Sequence, residues 1–226
     1  MDVKAASPEL PDSREGRAAL ALVAALSGLQ PSVAATVAAR SEAPPAIRQA
    51  EARPETERLI ETLSARLLSA HSATAVLEAW CAERGLADDP RLVAVRLPGP
   101  DKPLSPAQRE RLAVGPDEPI RYRRVRLTCG AHVLSEADNW YVPSRLTPEM
   151  IAVLDTTQTP FGRVVHPLKP MRRNLGIVTL WNPGEARVPG PSERLFSVEA
   201  VLSSEGVPFC EVAETYTGAV LARGER

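Results

Sequence analysis

The spacing of hydrophobic positions divides the chain into parts with different predicted structure. Over residues 57–86 apolar side chains recur at helical intervals, with Leu59, Leu63, Leu67 and Leu68 followed by Ala75, Leu77, Trp80 and Cys81. This predicts two helices, or one broken near Ser72. Ser72 stands where the second run needs an N-cap, and Gly85 can stop that run.

Beyond Asp89 the period falls to two. Residues 92–97 (LVAVRL) predict a strand, followed by a proline-bounded loop and a short helix over 105–112. Residues 120–128 alternate, which puts Tyr122, Arg124 and Arg126 on one face and Arg121, Arg123, Val125 and Leu127 on the other. Cys129-Gly130-Ala131 turns the chain into an antiparallel partner over 132–142. Thr147-Pro148-Glu149 opens a helix reaching Leu154, with Thr as cap, Pro in the first turn and an acidic residue suited to the helix dipole. Residues 157–163 read as irregular, 174–181 and 195–203 as strands, and Ser204-Glu205-Gly206 as a hairpin turn into a last strand over 207–221. The prediction is an α+β domain, a single antiparallel sheet with helices packed on one face.

Composition separates the first third from the rest. Residues 1–58 hold 15 Ala and 6 Pro and no aromatic residue, whereas all nine aromatics lie at or beyond Trp80. Burial of aromatic rings supplies much of a core's area, so the folded domain is expected over 59–226 and a leader with a Pro/Ala-rich linker over 1–58. The uncharged run at 18–29 is shorter than the roughly 20 residues a spanning helix needs, so no stable membrane anchor is expected. Two readings of residues 1–39 stay open. One is a secretory signal cleaved after Val37-Ala38-Ala39, giving a periplasmic or secreted protein. The other is an Ala-rich helix or extension on a cytoplasmic one, which the net negative charge before Arg17 favours. Residues 41–54, with Pro44, Pro45 and Pro54, read as linker.

Charge and chemistry narrow the function by exclusion. The formal net charge is -1, with no basic cluster of the kind a nucleic acid requires, so no nucleic-acid partner is expected. The three histidines are far apart, and no Cys/His spacing suits zinc, so no metal is expected. Glycine-rich phosphate loops and the GxSxG elbow are absent, which removes the commonest nucleotide-binding and hydrolase signatures. Cys81, Cys129 and Cys210 are an odd set. They read either as three buried thiols or, in an exported protein, as a Cys81–Cys129 disulfide with one thiol left over.

What remains is a set of strand residues: the arginines at 121, 123, 124 and 126, the Thr-Pro-Phe-Gly-Arg turn, and Glu211 and Glu214 near the end. An arginine on the covered face of a sheet is costly unless paired, and a ligand carboxylate can serve as the pair. Taken alone, the same residues also fit a solvated strand face whose charges neutralise one another.

Their order along the chain adds to this. LVAVR (92–96), RYRRVRLTCG (121–130), NWYVP (139–143), TPFGR (159–163), a strand after Met171-Arg172-Arg173, and GVPFCEVAETY (206–216) together resemble the chorismate pyruvate-lyase family. That family shares its fold with the effector-binding domain of many GntR-type regulators. The resemblance covers residues 60–221 and implies a buried pocket that eliminates pyruvate from chorismate to give 4-hydroxybenzoate, without metal or cofactor. It implies that Arg124 holds the ring carboxylate, that the N–H groups of Ala94 and Phe161 assist, and that Gly162 permits the tight turn. The acidic residue near the ligand hydroxyl is Glu214, with Glu211 as second choice, and Asn139 stands where the family enzyme carries an arginine. The partner is then a small carboxylate, chorismate or 4-hydroxybenzoate, bound by a monomer. The alternative reading is a non-catalytic exported protein of the same fold that binds a small aromatic carboxylate. A purely structural domain is the third. Residues 1–58 lack the pattern of a winged helix, which argues against a DNA-binding regulator.

Overall fold

The alternating segments become six strands in the computed structural model: β1 (Val93–Arg96), β2 (Arg121–Cys129), β3 (His132–Tyr141), β4 (Met171–Thr179), β5 (Arg194–Ser204) and β6 (Val207–Thr217). They form one antiparallel sheet in the order β1-β2-β3-β6-β5-β4. The structure describes residues 45–182 and 187–224, with side chains from residue 53 onward. The helical segments become α1 (Pro45–Ser69), α2 (Ala73–Arg84), α3 (Pro106–Arg111), α4 (Pro148–Thr156) and α5 (Phe161–Val164). The α+β expectation holds.

The predicted break at Ser72 is real and has its predicted cause. The Ser72 hydroxyl accepts from the Ala75 N–H, and Gly85 ends α2 in the left-handed conformation at φ 62. Other expectations need correction. The predicted linker is helical from Pro45 onward: Pro45 occupies the first helical position, where its missing N–H costs nothing, and α1 runs on through Pro54. β4 starts three residues before the predicted Asn174, which brings Arg172 into the sheet. The last strand stops at Thr217, whose hydroxyl accepts from Ala219 to open a 3-10 turn, Gly218–Leu221. The expected signal segment at 1–39 and residues 41–44 of the linker lie outside the described residues. Among the described residues no helix is long and apolar enough to cross a membrane.

Two hydrophobic clusters fill the helix-covered face. One packs Leu63, Leu67, Leu77 and Trp80 of α1 and α2 onto Val125, Leu127, Leu134 and Phe196 of the sheet. The other packs Leu154, Phe161 and Val165, from α4 and the α5 region, onto Tyr141, Ala200, Leu202 and Val212. The C-terminal end of α2 is held firmly. Trp80 donates its indole N–H to the Val220 carbonyl at 2.8 Å, Arg84 donates to the carbonyls of Leu221 and Ala222, and Cys81 is disulfide-bonded to Cys129 at the end of β2. Of the two readings of the cysteines, the structure carries the disulfide, with Cys210 a buried free thiol. The N-terminal end of α2 then projects over the middle of the sheet, toward the second cluster.

Candidate functional site

Between the two clusters lies a cavity of about 410 Å³. Its floor is the inner face of the sheet: Val125 and Leu127 of β2, Ala137 and Asn139 of β3, Val212 and Glu214 of β6, and Leu202 of β5. The first turn of α2 (Ser72, Ala73, Thr74, Ala75) and α5 with its exit (Phe161, Gly162, Val165, His166) form the roof. Lys169, Met171 and Arg172 close one side, and His71 stands at the rim. Size and mostly apolar lining with few polar groups are those of a small-molecule site.

Close contact between the two roof helices depends on Gly162. A β-carbon there would lie 2.7 Å from Thr74 Oγ1 and 3.3 Å from Thr74 Cβ, so no side chain fits without pushing α5 away from α2. Next to it, Arg163 forms an ion pair with Glu78 of α2. Glu78 also accepts from the Leu92 N–H at 3.1 Å, just before β1. The Thr-Pro-Phe-Gly-Arg turn is thus the strut that sets the roof over the floor.

The charged centre of the cavity is a buried pair. Arg172 Nη2 donates to Glu214 Oε2 at 2.7 Å, and the two side chains are 3% and 8% exposed. Arg172 Nε donates to Asn174 Oδ1 at 3.0 Å, and the Tyr216 hydroxyl donates to Glu214 Oε2 at 3.3 Å. Burial pulls the Arg172 pKa down, but the Glu214 carboxylate beside it, together with Tyr216 and Cys210, more than offsets this and the net shift is upward. Burial, aided by Glu214, pushes the Tyr216 hydroxyl well above its ordinary value, and burial does the same to the Cys210 thiol. Beside the Arg172–Glu214 ion pair the centre therefore holds a neutral phenol and an unreactive thiol at neutral pH.

Four residues expected from the sequence meet in this cavity: Glu214, Asn139, Phe161 and Gly162. The other three do not. Arg124 lies on the opposite face of the sheet, where it donates to Glu136 Oε2 at 3.0 Å and sits 3.8 Å from Asp138. Strand alternation is the physical cause, because Val125 and Leu127 occupy the inner face and Arg124 must point the other way. Glu211 is also on that face, in a two-point ion pair with Arg111 at the end of α3 (2.8 and 2.7 Å). The Ala94 N–H is already committed to the Gln158 carbonyl at 2.7 Å. Arg172 is the residue that sequence reasoning missed; β4 begins at Met171 and pairs Arg172 with Leu202, which puts it on the inner face.

Arg123 holds a different position. It is 2% exposed, with Nε and Nη1 lacking any hydrogen-bond partner and Nη2 3.4 Å from the Thr159 carbonyl. Burial, with Arg96 adding repulsion, holds its pKa below the usual arginine value. Its neighbour across the sheet is Asn139, whose side-chain amide donates to the Arg123 carbonyl at 3.3 Å.

No protein-family model matches the chain. Solved structures with some similarity include PhnF from Mycobacterium smegmatis, at 14% identity and a TM-score of 0.47, over 67% of this chain and 65% of that one. This chain thus spans slightly less than two thirds of PhnF. The PhnF effector domain matches at 15% identity and a TM-score of 0.45, over 66% of this chain and 89% of that one. The C-terminal domain of the histidine utilization repressor from Pseudomonas syringae pv. tomato matches at 10% identity and a TM-score of 0.42, over 60% and 98%. A protein of Sinorhizobium fredii, the uncharacterized protein y4mC, is 45% identical in a match that covers 75% of this chain and 78% of that protein. The chain belongs to the family of y4mC.

Proposed function

We propose that the domain binds a small organic carboxylate with an apolar body in the cavity between the two clusters. The observation that carries this reading is the Arg172–Glu214 pair, almost fully buried at the side of a mostly apolar cavity. A pair taken out of water is costly unless its remaining donors and acceptors are used, and a ligand supplies that use. Arg172 keeps a nitrogen for the ligand carboxylate, and Glu214 keeps an oxygen for a ligand hydroxyl. The first N–H groups of α2, at Ala73 and Thr74, have no partner within their helix and line the same space, adding a partial positive charge. Val125, Leu127, Leu202, Val212 and the Phe161 ring receive the apolar part.

The resemblance to chorismate pyruvate-lyases names one ligand pair of this class, chorismate and 4-hydroxybenzoate. In that reading Arg172 takes the role first assigned to Arg124. Hydrogen transfer within the substrate needs no external base, so positioning and fixed charge are what such a site must provide. Calorimetric titration with 4-hydroxybenzoate, run beside a chorismate assay read by 4-hydroxybenzoate absorbance, tests both. Saturable binding that disappears in Arg172→Met and persists in Arg124→Ala is the expected result. Turnover of chorismate would make the domain a lyase; binding without turnover would make it a binding module. Binding equal in wild type and Arg172→Met, or none at all, overturns the reading.

A further inference from the structure

The charges that line the cavity do not cancel. Arg172 and Glu214 neutralise each other across 2.7 Å, and apart from His71 and His166 the one other ionisable side chain in the lining is Lys169. Among the described residues no carboxylate pairs with the Lys169 ammonium. A ligand carboxylate set against Arg172 thus meets a pair of zero net charge. Arg172 can orient it, but the arginine's charge is already balanced by Glu214. An anion leaves water for such a site favourably only where a net opposite charge awaits it.

The backbone holds Lys169 on the same side of the cavity as Arg172. The Lys169 N–H donates to the His166 carbonyl at 2.9 Å, the Leu168 carbonyl before it accepts from the Ser204 hydroxyl at 2.8 Å, and Pro170 after it leads into β4. At φ 48 and ψ 56 the residue lies in the left-handed region, where a β-carbon costs backbone energy and glycine is favoured. Of the three such non-glycine residues among those described, Ala113, Lys169 and Glu205, Lys169 alone lines the cavity. A strained position that keeps a long cationic side chain at a cavity wall points to use of that side chain. Because Lys169 is exposed, its ammonium stays hydrated while the cavity is empty, so it adds no buried charge to the ligand-free protein, in contrast to Arg172.

Resting on the reading of the cavity as a carboxylate site, we propose that Lys169 is the residue that makes it select an anion. Its ammonium closes over a carboxylate oriented by Arg172 Nη1 and supplies the net positive charge that the Arg172–Glu214 pair lacks. The ligand class then narrows to free acids, in preference to their neutral amides and esters.

Calorimetric titration of the full chain with 4-hydroxybenzoate and with its neutral amide, 4-hydroxybenzamide, tests it. Wild type is expected to prefer the acid. Lys169→Met should weaken binding of the acid by about 10- to 100-fold, as loss of a hydrogen bond to a charged group does, and leave the amide nearly unaffected. Lys169→Arg should keep most of the preference. Lys169→Gly suits the left-handed backbone, so it is expected to melt no lower than wild type while losing the same preference, which separates charge from folding. A wild type that binds acid and amide equally overturns the proposal, as does a Lys169→Met variant with the wild-type preference. The cavity reading survives both results, since it fails instead where Arg172→Met binds the acid as wild type does. A wild type that binds neither compound overturns the two together.

Discussion

The two faces of the sheet carry ion pairs of the same chemistry in unlike surroundings. On the helix-covered face Arg172 and Glu214 meet at 2.7 Å with side chains 3% and 8% exposed. On the other face Arg124 and Glu136 meet at 3.0 Å with side chains 36% and 22% exposed. The separations are nearly equal, so bare Coulomb attraction does not distinguish them. Water does: a charge that loses its partner on the outer face is rehydrated, whereas one stranded on the inner face is not. Function is therefore to be sought where a charge could not remain alone, and an abundance of charge is no guide to it.

Removing one inner partner should have the largest effect. Arg172→Met should lower unfolding free energy by about 3–5 kcal/mol, the range seen when a buried pair loses one member. Urea denaturation measures it. The double variant Arg172→Met/Glu214→Leu should recover most of the loss, because no unpaired charge is left inside. A single variant no worse than one on the outer face would mean that the faces do not differ in the stated way.

A second substitution tests the roof that makes the inner face dry. Gly162→Val sets new atoms against Thr74 Oγ1, which a β-carbon alone would approach to 2.7 Å. The expected cost is about 1–3 kcal/mol, as for overpacking elsewhere, together with loss of ligand affinity as α5 moves off α2. Replacing Thr74 by Ala in the same chain should return part of both, and the coupling energy between the two sites measures their contact. Additive effects would show that α5 and α2 are not in contact through these residues.

Much of the scaffold is legible in the sequence. Helical spacing with Ser72 and Gly85 locates α2; alternation locates β2, β3 and β5; the hairpin at Ser204-Glu205-Gly206 sets the antiparallel order of β5 and β6. The site is legible in part. Glu214, Asn139, Phe161 and Gly162 can be picked out, yet the family resemblance points to Arg124, although alternation already divides β2 correctly into two faces. Val125 and Leu127 identify the inner face, so parity assigns Arg124 to the outer one, and here parity is the better guide. Arg172 escapes because the glycine at 176 and the irregularity between Asn174 and Gly176 weaken the alternation of β4, which makes the strand look shorter than it is. Parity separates Glu211 from Glu214 as well, since the two are three positions apart on β6, whereas no local pattern shows that Arg111 of α3 meets Glu211 across the outer face, because that contact joins residues 100 positions apart.

Arg123 tests the inner face from the other side, as a buried cation whose Nε and Nη1 have no partner. Arg123→Met keeps much of the side-chain volume and removes the charge, and should raise unfolding free energy by about 1 kcal/mol or more. Thermal and urea unfolding in chloride-free buffer give the sign directly. A destabilised variant would mean that an anion accompanies Arg123 in solution, and the inner face would then have a second charged centre.

The smallest effect belongs to the outer face. Arg124→Ala should cost no more than about 1 kcal/mol, since Glu136 keeps Arg126 at 3.0 Å and both are open to water. Burial alone would raise the Glu136 pKa, but hydrogen bonds from Arg126 and Arg124 more than offset it and hold the carboxyl below the ordinary glutamate value. A carboxyl depressed in this way stabilises the fold above its unfolded-state pKa, and the contribution disappears as pH falls through the folded-state value. The difference between wild type and Arg124→Ala should accordingly be present at neutral pH and shrink under acid, while ligand binding stays the same in both. A loss of binding in Arg124→Ala would return that residue to the site and require a rearrangement of β2, because one strand cannot present Arg124 and Val125 to the same face.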